Sequence, residues 1–206
     1  RSRREVGQLL TQGSVPVIRV RAAIILGTGS ASYELMKAMI VNNRYIPFLS
    51  EFNSRCQPIA IRDVIKYLVG VMETPDLSSC IYQVGCKDIL TYKEMIQSFA
   101  KILNRNVRFI DVSWVPFPVQ WMCRVYACWL HCFIPIPINI TSLLLNSLET
   151  DVICTNNDVV SILPFEPLDF KTSVKWAQEK EQKSMVFSHW SDVRPAGMEN
   201  LLPICE

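Results

Sequence analysis

The chain has 206 residues, of which 50% are hydrophobic and 19% are charged, and its formal net charge is +2. This composition supports a sizeable core and excludes wholesale disorder. The positive charges are scattered apart from a basic cluster at residues 1–4, which is more typical of a solvated helix start, so the sequence predicts no nucleic-acid partner.

The first fifth of the chain predicts a helix, a strand and a second helix. Residues 2–12 have helical character and Gly13 ends the helix, while residues 15–26, rich in β-branched side chains, predict a mostly buried strand. Residues 30–43 predict an amphipathic helix. Its apolar positions are Leu35, Met36, Met39 and Ile40.

The next segments continue this alternation. Residues 45–51 predict a short extended piece, and residues 57–61 predict the end of another strand. Residues 62–73 predict a helix in which Asp63 lies in the first turn, where a carboxylate suits the positive end of the helix. Its predicted apolar face consists of Val64, Ile65, Leu68, Val69 and Met72.

The middle of the chain predicts a further strand, helix and strand. Residues 80–85 and 107–115 have the character of strands, and residues 90–104 predict a helix that begins with a capping box of Thr91 and Glu94. Because strands alternate with helices, the sequence predicts an α/β fold with a parallel sheet.

The most apolar segment is residues 119–134, which fall short of the roughly 20 residues that a bilayer span needs. We expect a buried or surface-seated helix, whose aromatic side chains leave peripheral contact with a membrane surface open. Further helices are predicted at residues 141–152 and 169–184, and residues 186–206 predict a loose tail.

Cysteine spacing bears on both metal binding and the cellular compartment. Cys123, Cys128 and Cys132 lie close to His131 along the apolar segment, but buried free thiols are the favoured interpretation over a metal site. The eight cysteines form no Cys-x-x-Cys pair, so we assign no metal and expect a reducing, cytoplasmic setting.

Gly27 and Gly29 follow the first strand and partly match the dinucleotide-binding fingerprint. Ser32 stands at the third glycine position, and Glu51 could take the place of the ribose-binding acid. Arginines at positions 19 and 21 argue against this interpretation, because a central first strand would have to bury both without partners. A simple turn that needs a positive φ also explains the glycines.

Residues 15–30, "VPVIRVRAAIILGTGS", resemble a late segment of extended and atypical short-chain dehydrogenases/reductases. In that family a strand runs into an Arg-Pro-Gly-x-x-x-Gly-x-Gly stretch, which Arg21, Gly27 and Gly29 match. Ala22 and Ala23 stand where Pro and Gly are usual.

Two later segments and the first helix extend the resemblance. Residues 58–73 resemble the family's strand end, acid and helix, with Asp63 as the acid. Residues 80–103 resemble its next strand, Gly turn and Leu-Thr-x-x-Glu helix, and residues 1–10 resemble the helix that carries its Tyr-x-x-x-Lys. Within that family the chain resembles nucleoside-diphosphate-sugar epimerase-like proteins.

The resemblance implies a NAD or NADP cofactor, a small-molecule substrate and an epimerase or oxidoreductase activity. Arg3 stands at the position of the family's Lys, and the segment Arg21, Ala22, Ala23 and Ile24 would pass the nicotinamide side of the cofactor. The family's phosphate loop and catalytic Tyr would precede residue 1. We therefore expect the chain by itself to bind dinucleotide weakly or not at all, because anion binding depends on that loop.

The predicted organisation has three parts. Residues 1–90 would supply the C-terminal portion of a Rossmann-like parallel sheet, residues 91–165 a small substrate-side helical subdomain, and residues 166–206 a polar helix and a linker towards a lipid-binding-type domain. Two alternatives stay open. One is a non-catalytic module that uses residues 119–134 against a partner or membrane, and the other is a self-contained nucleotide fold around Gly27.

Overall fold

The computed structural model describes residues 2–48, 53–74, 80–112, 121, 124–125, 128, 150–155 and 158–183. Helices in these residues are α1 (Ser2–Thr11), α2 (Ala31–Val41), α3 (Ile61–Glu73), α4 (Tyr92–Ile102), α5 (Asp158–Ile162) and α6 (Phe170–Gln182). Strands are β1 (Ile18–Ala22), β2 (Ile25–Leu26), β3 (Tyr45–Phe48), β4 (Arg55–Cys56), β5 (Ile59–Ala60), β6 (Cys80–Val84), β7 (Leu90–Thr91) and β8 (Arg108–Asp111).

Parallel strand pairs dominate the fold. β1 runs beside β6, with Ile18 opposite Cys80 and Ala22 opposite Val84. β2 pairs with β5, and β3 pairs with β8, and both pairs are also parallel. β4 and β7 form an antiparallel pair. Helix α3 lies between β1 and β6 in the chain and so belongs to the crossover that parallel strands require. The predicted α/β class is therefore confirmed.

The long strand predicted at residues 15–26 is wrong in one respect, because the structure divides it into two short strands. β1 ends at Ala22, and the chain then shifts at Ala23 and Ile24 so that β2 pairs with β5 instead of β6. The segment is also less buried than expected, since Arg21 and Ile25 are exposed. Each half takes a different partner strand, which a local pattern of β-branched residues does not reveal.

Two buried clusters form the core. The first joins α2, α4 and α6 through residues that include Tyr33, Phe99, Phe170 and Val174. The second surrounds Tyr67 and Tyr82, and the side chains of Ile18, Val20 and Ala22 pack against it. Helix α6 thus contributes to the core on its apolar side, while most of its surface is polar.

The buried face of α3 differs from the predicted one. Val64 is buried as expected, but Asp63, Tyr67 and Val71 complete the face, because the segment that follows α5 covers it. The Phe165 ring lies 4.4 Å from that of Tyr67, centroid to centroid. The other predicted core positions are exposed, namely Ile65, Leu68, Val69 and Met72.

Several local predictions agree with the structure. Thr91 accepts a hydrogen bond from the Glu94 N–H at 3.2 Å and its own N–H donates to Glu94 Oε2 at 2.8 Å, so the capping box is present. The four predicted apolar positions of α2 are all buried. The predicted helix at residues 141–152 is wrong at its end, because Val152 forms a parallel bridge with Cys56, and its first nine residues lie outside the described ones.

The apolar segment 119–134 is described at four residues only. Trp121, Arg124, Val125 and Cys128 are helical and exposed, as a surface-seated helix requires, and the rest of the segment lies outside the described residues. Among the residues that the structure describes, no helix has the length and apolar character to cross a bilayer.

Candidate functional site

The carboxyl ends of β1 and β6 lie side by side because the two strands are parallel. Arg21 is opposite Gln83, and Ala22 is opposite Val84. We call the two segments that begin at the first of these pairs the carboxyl edge. They are Arg21–Ile24 and Gln83–Cys86. In open α/β sheets ligands bind outside the carboxyl ends of the strands, so this edge is the candidate site. The four consecutive residues predicted to pass the cofactor form one half of this edge, and their role stays a prediction.

Two glutamines that sequence reasoning missed hold another segment against this edge. Gln83 Oε1 accepts a hydrogen bond from the Thr155 N–H at 2.7 Å, and Gln57 Oε1 accepts one from the Cys154 N–H at 3.0 Å. The Gln57 amide also donates to the Cys86 carbonyl at 2.5 Å. The two side-chain amides thus hold residues 154–155 against the carboxyl edge. Arg21 is the exposed charged residue of that edge.

The two arginines of β1 share one face of the strand. Ile18, Val20 and Ala22 pack on the second cluster, so the alternation of a strand places Arg19 and Arg21 on the opposite side. Arg19 lies under α1, where a Cβ added at Gly7 would be 2.7 Å from its Nη1. The buried Arg19 Nε has no hydrogen-bond partner in the described part of the chain.

Among the described residues, the second edge of β1 has no partner strand. No described strand other than β6 pairs with β1. Helix α1, which leads into β1, also exposes apolar side chains at Val6, Leu9 and Leu10. The side chain of Arg3 lies outside the described residues, so its assignment to the family's Lys position stays a prediction.

Two hydrogen-bond donors of the loop at Gly27 already have acceptors within the protein. The Gly29 N–H donates to Glu34 Oε1 at 3.3 Å, and the Thr28 hydroxyl donates to the Ala177 carbonyl at 2.9 Å. Ser30 caps α2 by accepting from the Tyr33 N–H at 3.3 Å. A carboxylate therefore occupies the helix start where a phosphate would bind, which favours a turn over a phosphate-binding loop.

Gly29 has a φ of 79°, in the left-handed region that other residues rarely adopt. Replacing it with alanine should lower the free energy of unfolding by about 1–2 kcal/mol, because a Cβ is disfavoured there. Urea denaturation would measure the change. Gly13→Ala is the matched control, since Gly13 lacks such a φ and its Cβ would meet the Leu10 oxygen only at 3.4 Å. Equal effects at both positions would contradict the assignment of strain to the Gly29 turn.

Three thiols lie beside the carboxyl edge. Cys56 and Cys86 are buried, and the Cys154 Sγ lies 3.1 Å from where a Gly85 Cβ would stand. Burial raises the pKa of the Cys56 thiol from 9.0 to about 12 and that of Cys86 to about 11. The described residues contain no group of three side chains arranged to hold a metal.

The interpretation of the cysteines as buried thiols is wrong for Cys128, which is exposed. The exposure follows from its position on the same helical side as the exposed Trp121 and Val125. Cys123, Cys132 and His131 lie outside the described residues, and a metal site there stays the alternative interpretation.

The raised thiol pKa values predict a loss of stability at alkaline pH. Folded Cys56 and Cys86 retain their protons above the ordinary thiol pKa of 9.0, whereas the unfolded thiols ionise. Their stabilising contribution is fully present below pH 9.0 and declines as the pH rises towards the folded values. Replacing both residues with alanine should flatten this decline in the free energy of unfolding measured by urea titration, and an unchanged pH dependence would contradict the shifts.

No family profile and no curated protein matches the sequence. Solved structures do match in fold. A nucleoside-diphosphate-sugar epimerase from Staphylococcus aureus aligns with a TM-score of 0.61 at 12% identity, over 83% of this chain and 56% of that one. A triphenylmethane reductase from Citrobacter sp. aligns with a TM-score of 0.61 at 12% identity, over 84% of this chain and 56% of that one.

A UDP-glucuronic acid 4-epimerase from Bacillus cereus, solved in complex with NAD, aligns with a TM-score of 0.55 at 12% identity. The alignment covers 88% of this chain and 50% of that one. The chain therefore spans about half the length of the solved structures it matches. Its fold is that of Rossmann-like epimerases and reductases, as the sequence resemblance implied.

Proposed function

We propose that the chain is the C-terminal portion of a NAD(P)-binding protein of the short-chain dehydrogenase/reductase type, an epimerase or oxidoreductase that acts on a small molecule. The observation that supports this proposal is the parallel β1–β6 pair, at whose carboxyl end Arg21 is exposed. The fold shared with an epimerase solved with NAD supports the same assignment.

The second edge of β1 has no partner among the described strands, which supports the view that a further part of the sheet belongs here. Helix α1 leads directly into β1, so a strand preceding α1 would complete a strand–helix–strand unit and pair with β1 in parallel. That added part would carry the glycine-rich loop for the pyrophosphate and the Tyr that precedes Arg3. The 206-residue chain would then be inactive alone and would bind cofactor poorly.

In this assignment Arg21 contacts the cofactor or substrate from the end of β1, and Arg3 holds a ribose hydroxyl in place of the family's Lys. Arginine keeps the positive charge of lysine, but its planar fork gives a different hydrogen-bond geometry. The buried, unoxidised Cys56 and Cys86 support a cytoplasmic setting.

Calorimetric titration with NAD and with NADP tests the proposal on the 206-residue chain and on a product extended upstream of Arg1. We expect binding by the extended product only, since that product would contain the loop that binds the pyrophosphate of the dinucleotide. Arg21→Ala in the extended product should weaken binding by about tenfold, the worth of one charged hydrogen bond. The exposed Arg44 provides the matched control as Arg44→Ala. Binding by neither product would overturn the proposal.

A second candidate is the interaction module built on residues 119–134. Trp121 is 52% exposed and Val125 47% exposed, and with Cys128 they follow the spacing of one helical face. Capture of the 206-residue chain by phosphatidylcholine vesicles, lost in Trp121→Ala but not in the exposed control Tyr45→Ala, would support peripheral membrane contact. Equal capture of both variants, or none of the parent chain, would exclude it.

A further inference from the structure

A groove of about 530 Å³ runs between α4 and α6. Phe99 of α4 and Val174 of α6 belong to the same buried cluster, which holds the two helices together beneath it. The α6 residues that line the groove are four and three positions apart and so share one face. The six lining residues are Ser98, Lys101, Ile102, Lys171, Lys175 and Gln178.

In the described part of the chain, no ion pair neutralises the lysines of this groove. Ion pairs in the described part of the chain engage other lysines, as between Lys37 and Glu181 or between Lys87 and Glu166, and none involves Lys101, Lys171 or Lys175. None of the described lining residues is acidic.

Helix α6 is not stabilised by the placement of Lys171 one turn before Lys175. Lys171 and Lys175 are one turn apart, and like charges at this spacing destabilise a helix. Lys171 also lies in the first turn of α6, where the positive end of the helix dipole disfavours a cation. The arrangement therefore opposes helix stability and leaves a concentrated positive field in a concave surface.

We propose that the groove binds a polyphosphorylated small molecule through Lys101, Lys171 and Lys175. Ammonium groups are suited to phosphate oxygens, and the Ser98 hydroxyl and Gln178 amide offer neutral hydrogen bonds beside them. The volume falls within the roughly 300–1,000 Å³ of small-molecule sites. Because the described lining has no aromatic ring to stack a base, phosphate groups are recognised and a nucleobase is not.

This site is separate from the proposed cofactor site, since none of its lining residues belongs to the carboxyl edge. The same phosphate chemistry could come from a free metabolite or from the headgroup of a phosphorylated lipid. The experiment therefore uses two probes, soluble tripolyphosphate and vesicles that contain a phosphatidylinositol bisphosphate.

Calorimetry with tripolyphosphate and vesicle sedimentation test the proposal on the 206-residue chain and two double variants. Lys171→Gln with Lys175→Gln removes two charges from the groove, and Lys180→Gln with Lys183→Gln removes two exposed charges near the end of α6, outside the lining. We expect the groove variant to lose roughly tenfold or more in affinity and the control roughly twofold or less. Circular dichroism checks that both variants remain folded.

If vesicles are not captured, and if only the groove variant loses tripolyphosphate binding, the ligand is a free phosphorylated molecule. Loss of vesicle capture in that variant alone supports a lipid headgroup. The proposal is overturned if neither probe binds, or if binding of each probe falls equally in the two double variants, because the attraction is then a general effect of net charge.

Discussion

Replacing Phe99 with alanine is expected to lower the free energy of unfolding by about 3–5 kcal/mol. Phe99 is completely buried, and its ring centroid lies 5.2 Å from that of Tyr33. It belongs to the cluster that joins α2, α4 and α6, so its removal leaves a cavity where three helices meet. Urea denaturation followed by circular dichroism measures the change.

Tyr45→Ala is the matched control for Phe99, because it removes an aromatic ring that is half exposed. Its effect should stay below about 1 kcal/mol, as for most surface substitutions. Phe99→Leu should fall between the two, since leucine fills part of the cavity. A Phe99→Ala variant as stable as the parent chain would contradict the packing of α4 against α2 and α6.

Replacing Asp63 with alanine is the second large effect, with an expected cost of about 2–3 kcal/mol. The Asp63 side chain is fully buried, and its Oδ2 accepts a hydrogen bond from the Leu168 N–H at 2.8 Å. Its Oδ1 accepts one from the half-exposed Lys66 at 3.3 Å. Alanine would leave the Leu168 N–H without its acceptor and release the segment that covers α3.

Asp63→Asn separates the hydrogen bond from the charge. The amide oxygen still accepts from the Leu168 N–H, so we expect a smaller loss than for alanine. Glu73→Gln, at an exposed position of the same helix, is the control and should be neutral. Thermal unfolding compares the three variants. An asparagine variant as unstable as the alanine variant would show that the charge, and not the hydrogen bond, holds the segment.

Asp63 also shows which of its features the sequence predicts and which depend on tertiary structure. Its place in the first turn of a helix was predictable, because the signal is local. Its burial was not, since the group that covers it is Leu168, 105 residues further along the chain. For the same reason the predicted apolar face of α3 includes Ile65 and Met72, which are exposed, and omits Tyr67. Which of two apolar faces is buried depends on distant segments.

Elements with local signals were predicted well. The capping box of α4 needs only Thr91 and Glu94, and the apolar spacing of α2 lies within one helix. The candidate site is different. Gln57 and Gln83 acquire their partners from residues 154–155, and the groove draws its lysines from two helices that are distant in sequence. Such convergence arises from tertiary packing and leaves no local pattern.

The most direct test of the central claim is amide hydrogen exchange in β1. Consecutive N–H groups of a strand point to alternate edges, so β6 protects only those on one side. In the 206-residue chain we expect alternating fast and slow exchange over Ile18–Ala22, and in a product extended upstream of Arg1 uniform slow exchange. Uniform protection in the shorter chain, or an unchanged alternation in the longer one, would contradict the claim that β1 receives a further parallel strand.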